Sequence, residues 1–315
     1  MSNYRTNLPQ LGNKIFLTDS GLETTLIFHD GLDLPHFAAI DALRDSDRRS
    51  RVEAYYTRHI AIATSRGIGF ILESPTWRAS PDWGRRLGLD HADLAAANRD
   101  AIAMMAALRR RHDSPQTPMV VSGNVGPRGD GYQVGELMNP TEAECYHAWQ
   151  VDLFADTEAD MVCGATITNS NEAIGIVRAA KSAGMPVAIS FTVETDGRLP
   201  SGESLGEAIE AVDAATSSAA AYFMLNCAHP THFASTLAAG GAWLDRIRGI
   251  RANASTRSHD ELNEAPDLDD GDPVRLGEEY SELRQRHRRI TVLGGCCGTD
   301  HRHIERICDA CLEAA

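Results

Sequence analysis

Eight short apolar, β-branched runs recur along this chain with longer amphipathic stretches between them, and that alternation limits the possible folds more than any other feature. Repeated βα units of this kind build a parallel sheet whose strands are joined by crossover helices. The predicted strands are residues 15–18, 69–73, 119–122, 161–164, 187–192, 221–226, 248–253 and 290–293. Helical periodicity between them carries start and stop signals. Asp90 opens a run through Arg111, Thr141 opens one with Glu144 three residues later, and Ser204 opens another with Glu207. The last two spacings read as capping boxes. Gly184, followed by Pro186, ends the helix that contains Lys181.

Eight units predict an α/β fold, a closed (β/α)8 TIM barrel, formed as one domain over residues 1–315. A doubly wound open sheet also accommodates many βα repeats. However, no G-x-G-x-x-G follows the first strand and no G-x-x-x-x-G-K-[ST] occurs, so the strongest nucleotide fingerprints of open sheets are missing. One long polar connection, residues 255–273, reads as a solvated surface loop rather than a calcium site.

Charge and lysine content then exclude several kinds of function. A formal net charge of −14, with arginines dispersed among acids, argues against nucleic-acid partners, which require a concentrated basic stripe. The opening MSNYRTNLPQLGNK lacks the pattern of a secretory signal, and no apolar run approaches bilayer length, so a cytoplasmic location without membrane partners is expected. Only two lysines are present, Lys14 before the first strand and Lys181 inside a helical pattern, and neither is placed for Schiff-base chemistry.

In a barrel, residues just past the strand ends converge on one mouth. Those positions hold Asp19, Glu73, Trp77, Asn124, Thr166, Glu194, Asn226, Cys227, Asn253, Cys296 and Cys297. Three of the seven cysteines therefore meet at one face. In a reducing compartment they are expected as core thiols, metal ligands or nucleophiles rather than disulfides. Three thiolates with an open fourth position form a catalytic zinc site. The competing reading, burial as small apolar residues, is the better one for any single cysteine. In LGGCCGT the glycines imply close backbone approach, and a helix starting near Thr299 or Asp300 would favour thiolates.

His229, His301 and His303 are expected at helix starts or on the surface, Cys308 and Cys311 in the core of a terminal helix, and Cys145 and Cys163 in the core.

These residues resemble the homocysteine S-methyltransferase family, whose betaine-using and S-methylmethionine-using members share a zinc-containing barrel. The likeness spans the chain through LTDSGLETTL, SPTWRAS, GNVGPRGD, LNC and GGCCGT. It implies that Cys227, Cys296 and Cys297 hold Zn2+, that Asp19 holds the amino group of a thiol acceptor, and that Asn226 lies in the substrate site. Trp77 stands where relatives often place a tyrosine, and its face could receive a cationic donor. Ala165 stands where relatives commonly carry a glutamate that helps bind the acceptor's amino group; Glu73 or Glu194 is expected to supply the missing carboxylate.

The implied reaction moves a methyl group from a small cationic donor to homocysteine or a close thiol, forming methionine or another thioether. S-Methylmethionine or S-adenosylmethionine is the first choice of donor, with betaine-like compounds second. Two other functions fit the same mouth: a metal-dependent lyase or hydrolase, and a non-catalytic zinc-binding protein. The oligomeric state is left open by the sequence.

Overall fold

The computed structural model describes residues 2–265 and 267–313. Eight parallel strands close on themselves in sequence order: β1 (Phe16–Leu17), β2 (Gly69–Glu73), β3 (Met119–Val125), β4 (Met161–Ile167), β5 (Val187–Phe191), β6 (Tyr222–Asn226), β7 (Ile247–Ala252) and β8 (Val292–Gly295). Closure is made by β1 against β8, where Phe16 lies opposite Val292 and Leu17 opposite Leu293. The predicted (β/α)8 barrel is therefore the observed architecture. Strand β2 has the predicted bounds. β3 and β4 each run three residues further toward the mouth, and β1 is only two residues long.

Side-chain parity explains the layering, because successive strand residues face opposite sides. Phe70 and Leu72 of β2 pack outward with the helices, whereas Ile71 joins Phe16, Val120, Met161, Met224 and Val292 inside the barrel. The same parity sends Glu73, Arg251 and Asn226 inward near the carboxyl ends of their strands. Glycines fit where neighbouring backbone comes close: a Cβ at Gly21 would collide with the carbonyl of Cys296.

The helix starts agree with the sequence at Asp90, which caps His91–His112, and at Ser204, which forms a capping box with Glu207. The box predicted at Thr141 and Glu144 lies two residues earlier. Asn139 is the cap, Glu142 closes the box, and Pro140 occupies the first helical turn, where its missing N–H leaves no bond unmade. Cys308 and Cys311 are buried in His301–Glu313, and Cys163 is buried inside the barrel, as expected. Cys145 is instead exposed, because it falls on the solvent side of helix Pro140–Ala155. His229 caps Pro230–Ala238 as a helix start, but His303 is fully buried, held by Asp300 and the Asp270 carbonyl.

The 255–273 connection is not simply a solvated loop. It folds a short helix, His259–Asn263, capped by Ser258 with Glu261, and lies over the mouth; Pro266 within it is outside the described residues. No helix among the described residues is long and apolar enough to cross a membrane.

Candidate active site

At the carboxyl ends of β6 and β8 the chain brings Cys227, Cys296 and Cys297 together, with their sulfurs within 4.8 Å of one another. Backbone bonds lock these turns in place. The Cys296 amide donates to the Ala252 carbonyl at 2.8 Å, the Cys227 amide to the Arg251 carbonyl at 3.1 Å, and the Ala254 amide to the Cys297 carbonyl at 3.1 Å. Cys227 has φ +54°, and Thr166 across the mouth has φ +60°. Left-handed backbone at a β-branched threonine is strained by roughly 1–3 kcal/mol and needs outside support. Asn226 supplies it, accepting from the Thr166 amide at 2.9 Å and donating to its hydroxyl at 2.7 Å.

Cysteines were expected here as thiols. The structure instead joins Cys227 and Cys296 as a disulfide, with Cys297 free beside them. Convergence is the physical reason: three sulfurs gathered in one small space can either oxidise in pairs or share a cation. The donor set fits zinc. Tetrahedral ligation with Zn–S near 2.3 Å places sulfurs about 3.8 Å apart, and Cys227 and Cys297 are separated by 3.9 Å. Occupation by a metal requires the disulfide to be reduced first. Burial pushes the Cys297 thiol up to about 11, so a cation entering here has protons to displace.

Below the sulfurs lies a buried ion triad. Arg251 donates to Glu73 at 2.7 Å, to Asp19 at 2.8 Å and to the Gly295 carbonyl at 3.2 Å. Burial lowers the Arg251 pKa, but the Asp19 and Glu73 carboxylates outweigh it and the net shift is upward. Burial likewise lifts Asp19 to about 6, against the lowering by Arg251. Tyr55 and Ser20 continue the network, since the Tyr55 hydroxyl donates to Asp19 at 3.3 Å and accepts from the Ser20 amide at 2.9 Å.

An inner pocket of about 60 Å3 contains Asp19, Glu23, Glu73, Trp77, Asn226 and the three cysteines in its lining. An outer chamber of about 440 Å3 adjoins it, sharing Thr24, Phe37, Tyr132 and Cys297. Tyr132 forms part of the partition. Its hydroxyl donates to Cys227 Sγ at 3.3 Å and lies 3.6 Å from Cys297 Sγ, while its ring lies 4.3 Å from that of His259. Four aspartates, Asp130, Asp260, Asp267 and Asp269, line the outer chamber against one guanidinium, Arg78.

Of the predicted site residues, Asp19, Glu73, Trp77, Asn226 and the cysteines meet around the inner pocket. Glu194 is half-buried near Asp196 and Asp260 and lines neither cavity. Trp77 has its indole N–H on the Ala165 carbonyl at 3.1 Å and the Arg78 guanidinium 4.8 Å from its ring centroid, so a cation already sits against it. Sequence reasoning missed Arg251, Glu23, Tyr132 and His259. Arg251 was inside a predicted strand and detectable by inward parity. Tyr132 and His259 sit in loops whose path carries no periodic signal.

By sequence, no curated protein gives a match. Among solved structures, the homocysteine methyltransferase MmuM of Escherichia coli shares the fold. Its metallated form has a TM-score of 0.71 at 14% identity, covering 97% of this chain and 99% of that one. Its oxidized form has a TM-score of 0.72 at 17% identity, covering 98% and 99%. The profile of the family described as homocysteine S-methyltransferase matches residues 16–311, nearly the whole barrel. With that match added to the fold, the chain belongs to the homocysteine S-methyltransferase family and is a methyltransferase enzyme.

Proposed function

We propose that this enzyme transfers a methyl group from a small cationic donor to the sulfur of homocysteine or a close aminothiol, with Zn2+ held by Cys227, Cys296 and Cys297. The observation that carries this reading is the convergence of three sulfurs from two strand ends within 4.8 Å, with Cys227 and Cys297 at the spacing that zinc requires, beside a pocket that also contains Asp19 and Asn226. When bound, zinc supplies one thing: it lowers the pKa of an acceptor thiol so that the sulfur is nucleophilic near neutral pH.

The chain's own residues do the rest. Asp19, fixed by Arg251, faces the acceptor with negative charge, while Asn226 keeps Thr166 and the Cys227 turn in place. The outer chamber receives the donor. Its four aspartates against one arginine favour a net cation, and the Tyr132 and His259 rings offer faces to a sulfonium. Burial lowers His259 to about 4, so it is neutral and does not repel such a donor. S-Methylmethionine or S-adenosylmethionine, whose sulfonium and ammonium groups outweigh their carboxylate, fits this charge better than betaine, whose ammonium and carboxylate cancel. A carbon–sulfur bond forms on the acceptor as the donor's methyl bond breaks. The electron pair stays on the departing sulfur or nitrogen, whose charge disappears, so the leaving group needs no general acid.

The test uses reduced protein, a metal assay and methyl-labelled S-methylmethionine with homocysteine. About one zinc per chain and labelled methionine over many turnovers are expected. Cys297→Ser should lose the metal and at least ~10³-fold in turnover while keeping its circular dichroism. Zinc-loaded wild-type protein that labels no thiol with any cationic donor would overturn the reading.

A further inference from the structure

The inner pocket has an imbalance of charge. Three carboxylates line it, Asp19, Glu23 and Glu73, with a single guanidinium, Arg251. Arg251 is committed to Asp19 and Glu73. The other arginine whose field reaches Glu23 is Arg78, and it is ion-paired to Asp130 at 3.1 Å and lies over Trp77 and Trp83. Among the described residues, no other residue's side chain is hydrogen bonded or ion-paired to the Glu23 carboxylate; its hydrogen bond is to its own backbone. The side chain is only partly buried, yet desolvation in the pocket lifts its pKa to about 7 against the weaker lowering by Arg251 and Arg78.

Ala165 brings only a methyl group to the pocket, and its carbonyl is occupied by Trp77. Glu23 lines the inner pocket with Asp19 and the cysteines but not the outer chamber, where the four aspartates stand. Glu23 therefore stands beside the sulfurs with no paired cation among the described residues, apart from the aspartates of the outer chamber.

We propose that Glu23 is a substrate-binding residue that, together with Asp19, receives the α-ammonium group of the acceptor, so that the enzyme selects thiols carrying an amino group. The turn Leu22–Thr24 holds it there, and Glu73 serves as the buried partner of Arg251 rather than as the direct ligand. This deepens the methyl-transfer reading and rests on it for the identity of the acceptor.

Calorimetry on reduced, zinc-loaded protein tests it without turnover, using homocysteine and 4-mercaptobutanoate, which keeps the thiol and carboxylate but lacks the ammonium. Wild-type protein should prefer homocysteine. Glu23→Gln should weaken homocysteine at least tenfold and leave 4-mercaptobutanoate within twofold, and Glu23→Asp, which retains the charge, should recover part of the loss. Equal weakening of both ligands, no weakening of either, or wild-type protein that does not bind homocysteine would each overturn the proposal. Selective loss in Glu23→Gln with no methyl transfer by wild type would leave the ammonium site standing and remove the transfer reaction instead.

Discussion

Two buried carboxylate centres occupy opposite ends of this barrel, and they are satisfied very differently. At the amino-terminal end, Asp160 just before β4 is completely buried. It accepts from the amides of Asn3, Tyr4 and Val121 at 2.7, 2.8 and 2.9 Å and pairs with buried Arg109 at 2.8 Å. Every oxygen there is spoken for, and the centre ties the chain terminus to the barrel floor. At the mouth, three carboxylates line the pocket with one arginine, which pairs with Asp19 and Glu73, and among the described residues no side chain is ion-paired to Glu23. A complete centre stabilises the fold, while an incomplete one holds energy that a ligand can recover. The division follows the usual polarity of such barrels, with stability at the amino ends of the strands and chemistry at the carboxyl ends.

The largest effect expected from breaking this contrast is at the floor. Asp160→Ala leaves Arg109 buried beside unpaired amides and should cost about 3–5 kcal/mol, read as a fall in the urea midpoint. Methyl transfer per folded molecule should stay unchanged; if activity falls first, the two ends are not separable.

At the mouth the sign reverses. The folded pKa of Glu23, about 7, lies above its ordinary 4.5, so between those values the folded state holds a proton that the unfolded state has lost. Stability contributed by Glu23 therefore declines as pH rises through that window. Glu23→Gln removes the decline and should be more stable than wild type by on the order of 1–2 kcal/mol at pH 8, with the gap closing near pH 5. Denaturation curves of the ligand-free protein that differ equally at both pH values would refute a charge origin.

The smallest effect sharpens the partition between the two cavities. Tyr132→Phe keeps the ring beside His259 and removes the hydroxyl bonded to Cys227. A fall in kcat of about 3–10-fold with little change in stability is expected, on the scale of one hydrogen bond. A large loss of stability would place Tyr132 with the structural floor residues instead.

Much of this was legible beforehand. Strand β2 could be bounded to the residue because Gly69–Glu73 is short, apolar and fully buried. The cysteines could be brought together because strand order fixes which loops share the mouth. The Thr141 start misled because Thr-x-x-Glu repeats the spacing of the true Asn139 box, and Pro140 was the deciding signal. Glu194 looked equivalent to Glu73 from strand position alone. The difference is that Glu73 is the last inward residue of β2, whereas Glu194 lies beyond β5 on a turn where the Gly197 amide donates to its carbonyl.

The sequence by itself determined the eight-unit barrel, the mouth and the three cysteines, because these follow from local periodicity and from a fixed strand order. Only the tertiary structure decided which charges cancel. Arg251 meets Glu73 across 178 residues of chain and Asp19 across 232, and no local pattern encodes such a pairing. Closure of the barrel also removed these groups from water, so partner choice there became a matter of burial and distance. That closure paired Glu73 with Arg251 and left Glu23 without a paired side chain among the described residues.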